Sequence, residues 1–398
     1  MIDDKQNIKK QFFIFGSIAT LISAAGYLIA PVEVRFLSSL TDNKILIGLT
    51  FALGSFFFAV LSLFLGRLSD KHGRGRFIIA GAFFSIIAPL LYAATINIFQ
   101  YMGIKFIWAL GGVALGPILI SQMQDIIQGH PKRGQLMGTL YSVQAITGSG
   151  GAFLGGWLSE KYSFQAAYIA MAVLGLIAIV FLLSQLKSVT NKPLHYEKRD
   201  LLFSFKYIFS KPQLIFYFIA NIGYTLNWRI KPLLWPLIIF GLASSDTISG
   251  SVFATMGIVA FLILPWAGRF VDRSKSLYKP ALLSFLFLGV FGLVLSFTES
   301  IFIFWVAAGL YAIGESLYGP MQAVLLTDYV ESKYRGEIMG FDAVFDKLIG
   351  TVSPFIAGFL LMLLTAQQVL FIYILMIWIT LTIITVVQRK LVSPNINS

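Results

Sequence analysis

The 398-residue chain is 57% hydrophobic and 15% aromatic, carries only 12% charged residues, and has a mean hydropathy of +0.81. Water-soluble domains carry roughly 25% charged residues, so that class is excluded. The absence of Cys removes disulfides, thiolate metal sites and cysteine nucleophiles.

In chain order, apolar runs long enough to cross about 30 Å of hydrocarbon recur at about 12–37, 45–65, 77–97, 99–125, 135–158 and 164–186. They resume at about 213–240, 248–267, 280–298, 301–328, 337–364 and 368–388. Twelve spanning helices are predicted, hence an all-α polytopic membrane protein. The aromatic residues do not alternate with period two, which sets aside a transmembrane β-barrel. The first run is long and opens on Lys9-Lys10, so it reads as a retained span rather than a cleaved signal.

The widest polar gap, Lys187 to Lys211, contains Asn191-Lys192-Pro193 and Glu197-Lys198-Arg199-Asp200. It is expected to be a cytoplasmic linker (187–211), with a candidate amphipathic surface helix, between domains 1–186 and 212–398. With the loops assigned on this basis, 23 of the 30 Lys and Arg fall on one side. That asymmetry is the positive-inside signature. It places both termini in the cytoplasm and explains the net charge of +12 as topology, with no nucleic-acid partner.

Between the second and third runs lies Gly66-Arg67-Leu68-Ser69-Asp70-Lys71-His72-Gly73-Arg74-Gly75-Arg76, expected as a short basic loop. A weaker copy, Gly268-Arg269-Phe270-Val271-Asp272-Arg273-Ser274-Lys275, follows 202 positions later. At the same offset Gly48 matches Gly250, Arg133-Gly134 matches Arg335-Gly336, Met137-Gly138 matches Met339-Gly340, and Gly156 matches Gly358. A repeat on this scale predicts two similar six-helix halves, a design in which the substrate site lies near the bilayer midplane.

The run Gly66-x-Leu68-x-Asp70-x-x-Gly73-Arg74-x-Arg76 resembles motif A of the major facilitator superfamily, in the same place between spans two and three. The resemblance, with its twelve spans and internal repeat, covers nearly the whole chain. It implies the major facilitator fold, two pseudo-symmetric six-helix bundles, a small-molecule substrate and a functional monomer. It also implies that Asp70 faces the positive N-terminal end of span eleven and that Arg74 pairs with Asp125, latching the cytoplasmic side. Arg133 and Arg335 would be further members of that gate, and Asp272 the core of a weaker second one, because Lys275 and Ser276 replace the equivalents of Gly73 and Arg74. In span five, Gly148-Ser149-Gly150-Gly151-Ala152-Phe153-Leu154-Gly155-Gly156 resembles the antiporter signature GxxxGPxxGG. Thr147 stands for its first Gly and Ala152 for its Pro, while small residues at this density also serve close helix packing. The buried Arg that motif B places on span four has no counterpart; Ile107 or Trp108 stands there, with Lys105 nearby.

Ionisable residues inside spans are costly and mark cavities or pairs. Glu33 and Arg35 fall in the outer part of span one, Arg229 near the middle of span seven and Glu315 near the middle of span ten. Helical spacing sets Tyr311, Glu315, Tyr318 and Gln322 on one face of span ten, and Asn221, Thr225 and Arg229 on one face of span seven. Asp342, Asp346 and Gly350 share a face of span eleven, with Lys347 beside Asp346. The family resemblance makes spans one, four, seven and ten line the central cavity, so Arg229 and Glu315 are the leading candidates for substrate or proton contact. A fixed pair of Arg229 with Glu315 or with Asp346 is the alternative. Ser121, Gln122, Gln124, Tyr141 and Gln144 are further candidate hydrogen-bonding groups.

These features predict a secondary transporter with protons as coupling ion, exporting a small organic molecule. Uptake or facilitated diffusion of a sugar, nucleoside or organic anion is the alternative, and a non-transporting sensor a remote one. Arg229, Lys231 and Lys347 suit an anionic or zwitterionic substrate, while the aromatic and carboxylate face of span ten suits a lipophilic cation. An enzyme is not expected: all three histidines (His72, His130, His195) fall in predicted loops and no metal-ligand pattern appears. The lack of a GxxxxGK[ST] loop argues against ATP-driven transport, and no cofactor is implied.

Overall fold

In the computed structural model, residues 2–127, 133–183, 206–274, 278–328, 330–331 and 334–392 are described. The first half holds helices α1 (Ile2–Ile29), α2 (Glu33–Leu40), α3 (Lys44–His72), α4 (Arg74–Ala93) and α5 (Ile98–Val113). A π-helical turn (Ala114–Ile118) leads into α6 (Leu119–Ile126), followed by α7 (Arg133–Lys161) and α8 (Phe164–Leu183). The second half holds α9 (Pro212–Ala243), α10 (Asp246–Arg273), α11 (Tyr278–Phe297), α12 (Ile301–Asp328), α13 (Arg335–Leu360) and α14 (Ala366–Val392). Most of the 187–211 linker, with its expected amphipathic helix, lies outside the described residues.

Among the described residues, ten helical segments are long and apolar enough to cross a membrane, α5 to α6 counting as one. The long helices α7 and α9 fall outside that set, α7 because it is rich in Gly, Ser and Thr, α9 because it carries Asn221, Asn227, Arg229 and Lys231. Helices suit such a chain because each one satisfies its own backbone polar groups without water. Large apolar side chains such as Phe64, Phe83, Ile169 and Phe302 project outward, as an apolar surrounding solvent allows.

Helix ends follow local chemistry. The Asn43 side chain accepts from the N–H groups of Ile45 (3.0 Å) and Leu46 (3.3 Å), and Asn97 accepts from that of Gln100 (2.9 Å); both are helix-starting caps. Pro212 opens α9 and Ser244 closes it in the left-handed region at φ 52°. The expected basic loop at 66–76 is not a loop: α3 continues to His72 and α4 begins at Arg74. Gly73, at φ 90° and ψ 131°, is the single non-helical residue between them. Charged residues beyond the hydrocarbon look loop-like in sequence but extend both helices, and only a residue without Cβ takes that backbone cheaply.

The expected first span is also interrupted. Helix α1 stops at Ile29, Pro31 follows, and Glu33 begins the short α2. In the fourth span Pro117 lies inside the π-turn, where a missing N–H favours departure from the α-ladder.

The chain divides into two compact units. Unit 1 comprises Met1–Glu197 with Ser245–Ala254, and unit 2 comprises Lys198–Ser244 with Thr255–Ser398. Within unit 1, α1 packs on α7 and α8, and α4 on α5 and α8; within unit 2, α9 packs on α13 and α14, and α11 on α12 and α14. These four pairings correspond between the two units. Phe15, Ile18, Ile78, Leu119, Met123 and Ile179 lie in the main buried cluster of unit 1.

Candidate functional site

Three helices of unit 2 bring polar side chains together, buried or half-buried, in a hydrogen-bonded network and a separate Lys231–Glu315 pair. Tyr217, Asn221, Thr225, Arg229 and Lys231 come from α9, Tyr311, Glu315, Tyr318 and Gln322 from α12, and Asp342, Asp346 and Lys347 from α13. On α9 Tyr217, Asn221, Thr225 and Arg229, and on α12 Tyr311, Glu315, Tyr318 and Gln322, recur every third or fourth position, so each set forms a stripe along its helix; Lys231 lies off the α9 stripe.

Arg229 pairs with Asp346, which also accepts from Lys347 at 3.1 Å. Lys231 donates to both oxygens of Glu315, at 2.7 and 2.9 Å. Asp342 is treated differently. Its Oδ1 accepts from the Tyr217 hydroxyl at 2.7 Å and the Asn221 amide at 3.0 Å. Gln322 donates to the Tyr217 hydroxyl at 2.8 Å, Tyr318 donates to Asn221 Oδ1 at 3.2 Å, and Thr225 reaches the same oxygen at 3.1 Å. Among the described residues, the hydrogen bonds to Asp342 come from neutral donors.

An aromatic wall runs along this network. Tyr318 stacks on Tyr224 with centroids 3.9 Å apart, and Tyr224 on Trp228 at 6.2 Å, both with interplanar angles of 13°. Tyr311 meets Trp235 edge-on at 5.4 Å. Of the two fixed pairings expected for Arg229, the structure holds the one with Asp346. Glu315 is matched instead by Lys231, whose place in the site the α9 stripe through Arg229 did not reveal. A signal was available: Trp228, Lys231 and Trp235 recur at i, i+3 and i+7.

Unit 1 holds a second buried pair, Glu33 with Lys105. The Tyr101 hydroxyl donates to Glu33 at 2.7 Å and lies 2.8 Å from that of Tyr168. Four rings, those of Phe51, Tyr92, Tyr101 and Trp108, lie 5.4 to 5.9 Å from the Lys105 ammonium. The buried cation of the fourth span is therefore Lys105, one helical turn before Trp108. Glu33 is buried.

At the end of unit 1 where α3 meets α4, Arg74 Nη1 donates to Asp125 at 2.6 Å, while its Nε and Nη2 both reach Asp70 at 3.2 Å. Gly73 sets the turn that aims Arg74. Asp272 is exposed in the last turn of α10. Arg133 and Arg335 open α7 and α13; their side chains lie outside the described residues.

At the other end of unit 1, the Glu160 carboxylate accepts from the Ser245 hydroxyl at 2.6 Å and the Thr247 N–H at 2.7 Å. These bonds hold its carboxyl below the usual range. Arg35 reaches Asp246 at 3.4 Å, and the Ser249 hydroxyl donates to the Pro31 carbonyl at 2.9 Å. The glycine run of α7 lies directly on α1. A Cβ at Gly151 would meet the Ala24 carbonyl, one at Gly155 the Leu28 carbonyl, and one at Gly148 the Tyr27 ring at 2.7 Å. A Cβ at Gly156 would lie 3.0 Å from Gly250. Without water to drive helices together, such contact carries the packing.

Comparison with known proteins supplies the rest. An uncharacterized MFS-type transporter of Methanocaldococcus jannaschii is 24% identical over 342 residues, covering 83% of this chain and 86% of the relative. Multidrug resistance protein MdtH of Blochmanniella floridana is 24% identical over 360 residues, covering 88% and 86%. The crystal structure of a POT family transporter in complex with a thioalcohol-conjugated peptide superposes with a TM-score of 0.79 at 11% identity, over 96% of this chain and 97% of that one. The family model described as Major Facilitator Superfamily matches residues 12–273 and again 217–396. With helices long enough to span a bilayer and a polar network buried among them, the chain belongs to the Major Facilitator Superfamily, as a multi-pass membrane transporter of small molecules.

Proposed function

We propose that the chain is a proton-coupled exporter of a small organic molecule, working by alternating access in the plasma membrane with both termini cytoplasmic. The observation that carries this reading is the unequal treatment of three carboxylates, Asp342 buried and Glu315 and Asp346 half-buried. Protonating Glu315 strands the buried Lys231, at a cost on the order of 3–5 kcal/mol, and protonating Asp346 strands the half-buried Arg229 and Lys347 at a smaller one. Protonating Asp342 leaves no hydrogen-bonded cation without its partner among the described residues, since Tyr217 and Asn221 are neutral. Asp342 is thus the carboxylate that gains and loses a proton, with Arg229, Glu315, Tyr311, Tyr318, Gln322, Asn221 and Asp346 around the substrate. Glu33 acts with Lys105 as a fixed pair. The outward direction draws on a relative named as a multidrug resistance protein and on the glycine run similar to the antiporter signature. Asp70, Gly73, Arg74 and Asp125, with Arg133, Asp272 and Arg335, form the cytoplasmic gate. The working unit in this reading is a monomer.

The test is a pH-gradient assay in inside-out vesicles with an acidified lumen, using panels of lipophilic cations, zwitterions and organic acids. One class is expected to dissipate the gradient with the wild type and not with Asp342→Asn. If no compound does so while labelled compounds still equilibrate, facilitated transport replaces antiport. One observation favours that second reading for an organic anion: Arg229 Nε is buried and has no hydrogen-bond acceptor among the described residues.

A further inference from the structure

The Lys231 ammonium occupies a chemically complete cation site. Both oxygens of Glu315 accept from it, the Trp228 ring lies 3.9 Å beneath it, and the Trp235 ring lies 5.7 Å away. A carboxylate with two indole faces is the combination that recognises organic ammonium ions. The site lies near the middle of the 28-residue helix α12, at the depth where such transporters hold substrate.

The other buried lysine differs. Lys105 has its rings no nearer than 5.4 Å, and its carboxylate is also bonded by Tyr101, which ties that pair into the bundle. Around Lys231 the wall continues outward: Trp228 is 36% exposed, and Tyr224 and Tyr318 extend its stacked face toward Asn221 and Asp342. A flat or alkyl body on that wall would place its cationic group where the lysine amine now lies.

We infer that Lys231 is a tethered stand-in for the substrate's cationic group, so that the site takes organic ammonium ions and binds them by displacing this side chain from Glu315. The inference rests on reading the unit 2 network as the transport site, and adds the substrate class. The tether keeps Glu315 from ever being left bare in the membrane interior, which would be costly. It also acts as an intramolecular competitor at an effective concentration on the order of millimolar, holding affinity low enough for release.

The test uses the full-length protein in detergent or nanodiscs and benzyltrimethylammonium as probe, with binding followed by calorimetry. Lys231→Met removes the competitor, and the dissociation constant is expected to fall by about tenfold or more. Glu315→Gln loses binding, and Lys105→Met, altering the other pair, shows no gain. Should Lys231→Met fail to fold, the wild type supplies a second readout. Acylation of the Lys231 amine by an amine-reactive ester, quantified by peptide mass spectrometry, is expected to rise several-fold when the probe is added.

Unchanged or weaker binding by Lys231→Met overturns the inference. So does tighter binding of benzenesulfonate than of the cation by the wild type, or acylation that does not rise with the probe. None of these outcomes touches the Asp342-dependent gradient assay, so a failed tether and a failed export reading remain distinguishable.

Discussion

Glu33 and Lys105 pair with the carboxylate at the end of the first span and the amine on the fourth, whereas Lys231 and Glu315 reverse the assignment in the second half. The attraction is indifferent to which helix supplies which sign. Two halves of common plan therefore hold their first and fourth spans together by staples of opposite sense.

That indifference predicts a charge-swap rescue. Glu33→Lys or Lys105→Glu alone buries like charges, and each is expected to cost about 3–5 kcal/mol, seen as a lower unfolding temperature by intrinsic tryptophan fluorescence. The double exchange should recover most of the loss. If it is no more stable than the singles, the pair is not held by its charges.

The glycine seam between α1 and α7 makes a position-by-position prediction. Gly155→Ala drives a methyl group into the Leu28 carbonyl and should cost roughly 1–3 kcal/mol, whereas Gly150→Ala, with nothing within 4 Å of its Cβ, should be nearly silent. Thermal unfolding of the two variants side by side tests the seam.

Gly73→Ala puts a Cβ on a residue at φ 90°. The expected penalty is on the order of 1–3 kcal/mol, with weakened Arg74–Asp125 pairing, because relief of the strain re-aims the start of α4. A charge-preserving comparison, Arg74→Lys, removes the fork that reaches both Asp70 and Asp125 without straining the backbone. Equal unfolding temperatures for Gly73→Ala and wild type would refute the claim.

Glu160 predicts a pH dependence whose sign follows from its hydrogen bonds. Its carboxyl is held low by Ser245 and Thr247 in the folded state. The stabilisation is therefore fully present above the ordinary carboxylate range and is lost as pH falls through the lowered value. Wild type should exceed Glu160→Gln in unfolding temperature near neutrality, and the two should converge on acidification. A gap that widens in acid would have the wrong sign.

The spans, the repeat and the polar stripes of α9, α12 and α13 are legible in the sequence, because length, hydropathy and a period of 3.6 are properties of single helices. Partners across helices are not. The stripe through Asn221, Thr225 and Arg229 says which way Arg229 points, but whether it meets Glu315 or Asp346 depends on how three helices pack. The 202-residue offset is equally silent about the lysine pairs, which do not occupy equivalent positions: 202 beyond Glu33 stands Trp235, and 202 beyond Lys105 stands Ala307. The basic run at 66–76 misleads for another reason, since charge density reports where the membrane ends, not where a helix does.

The π-turn at Ala114–Ile118 separates the fourth span into a first piece carrying Lys105 and a second piece carrying Asp125. One residue too many in a helical turn rotates everything after it by about 100°. The span thus has two azimuths, one pointing an amine at Glu33 and the other an acid at Arg74. A deletion within the turn would leave Lys105 undisturbed and swing Asp125 away from its guanidinium, so the phase of the Arg74 contact is written in a fault of the ladder five residues long.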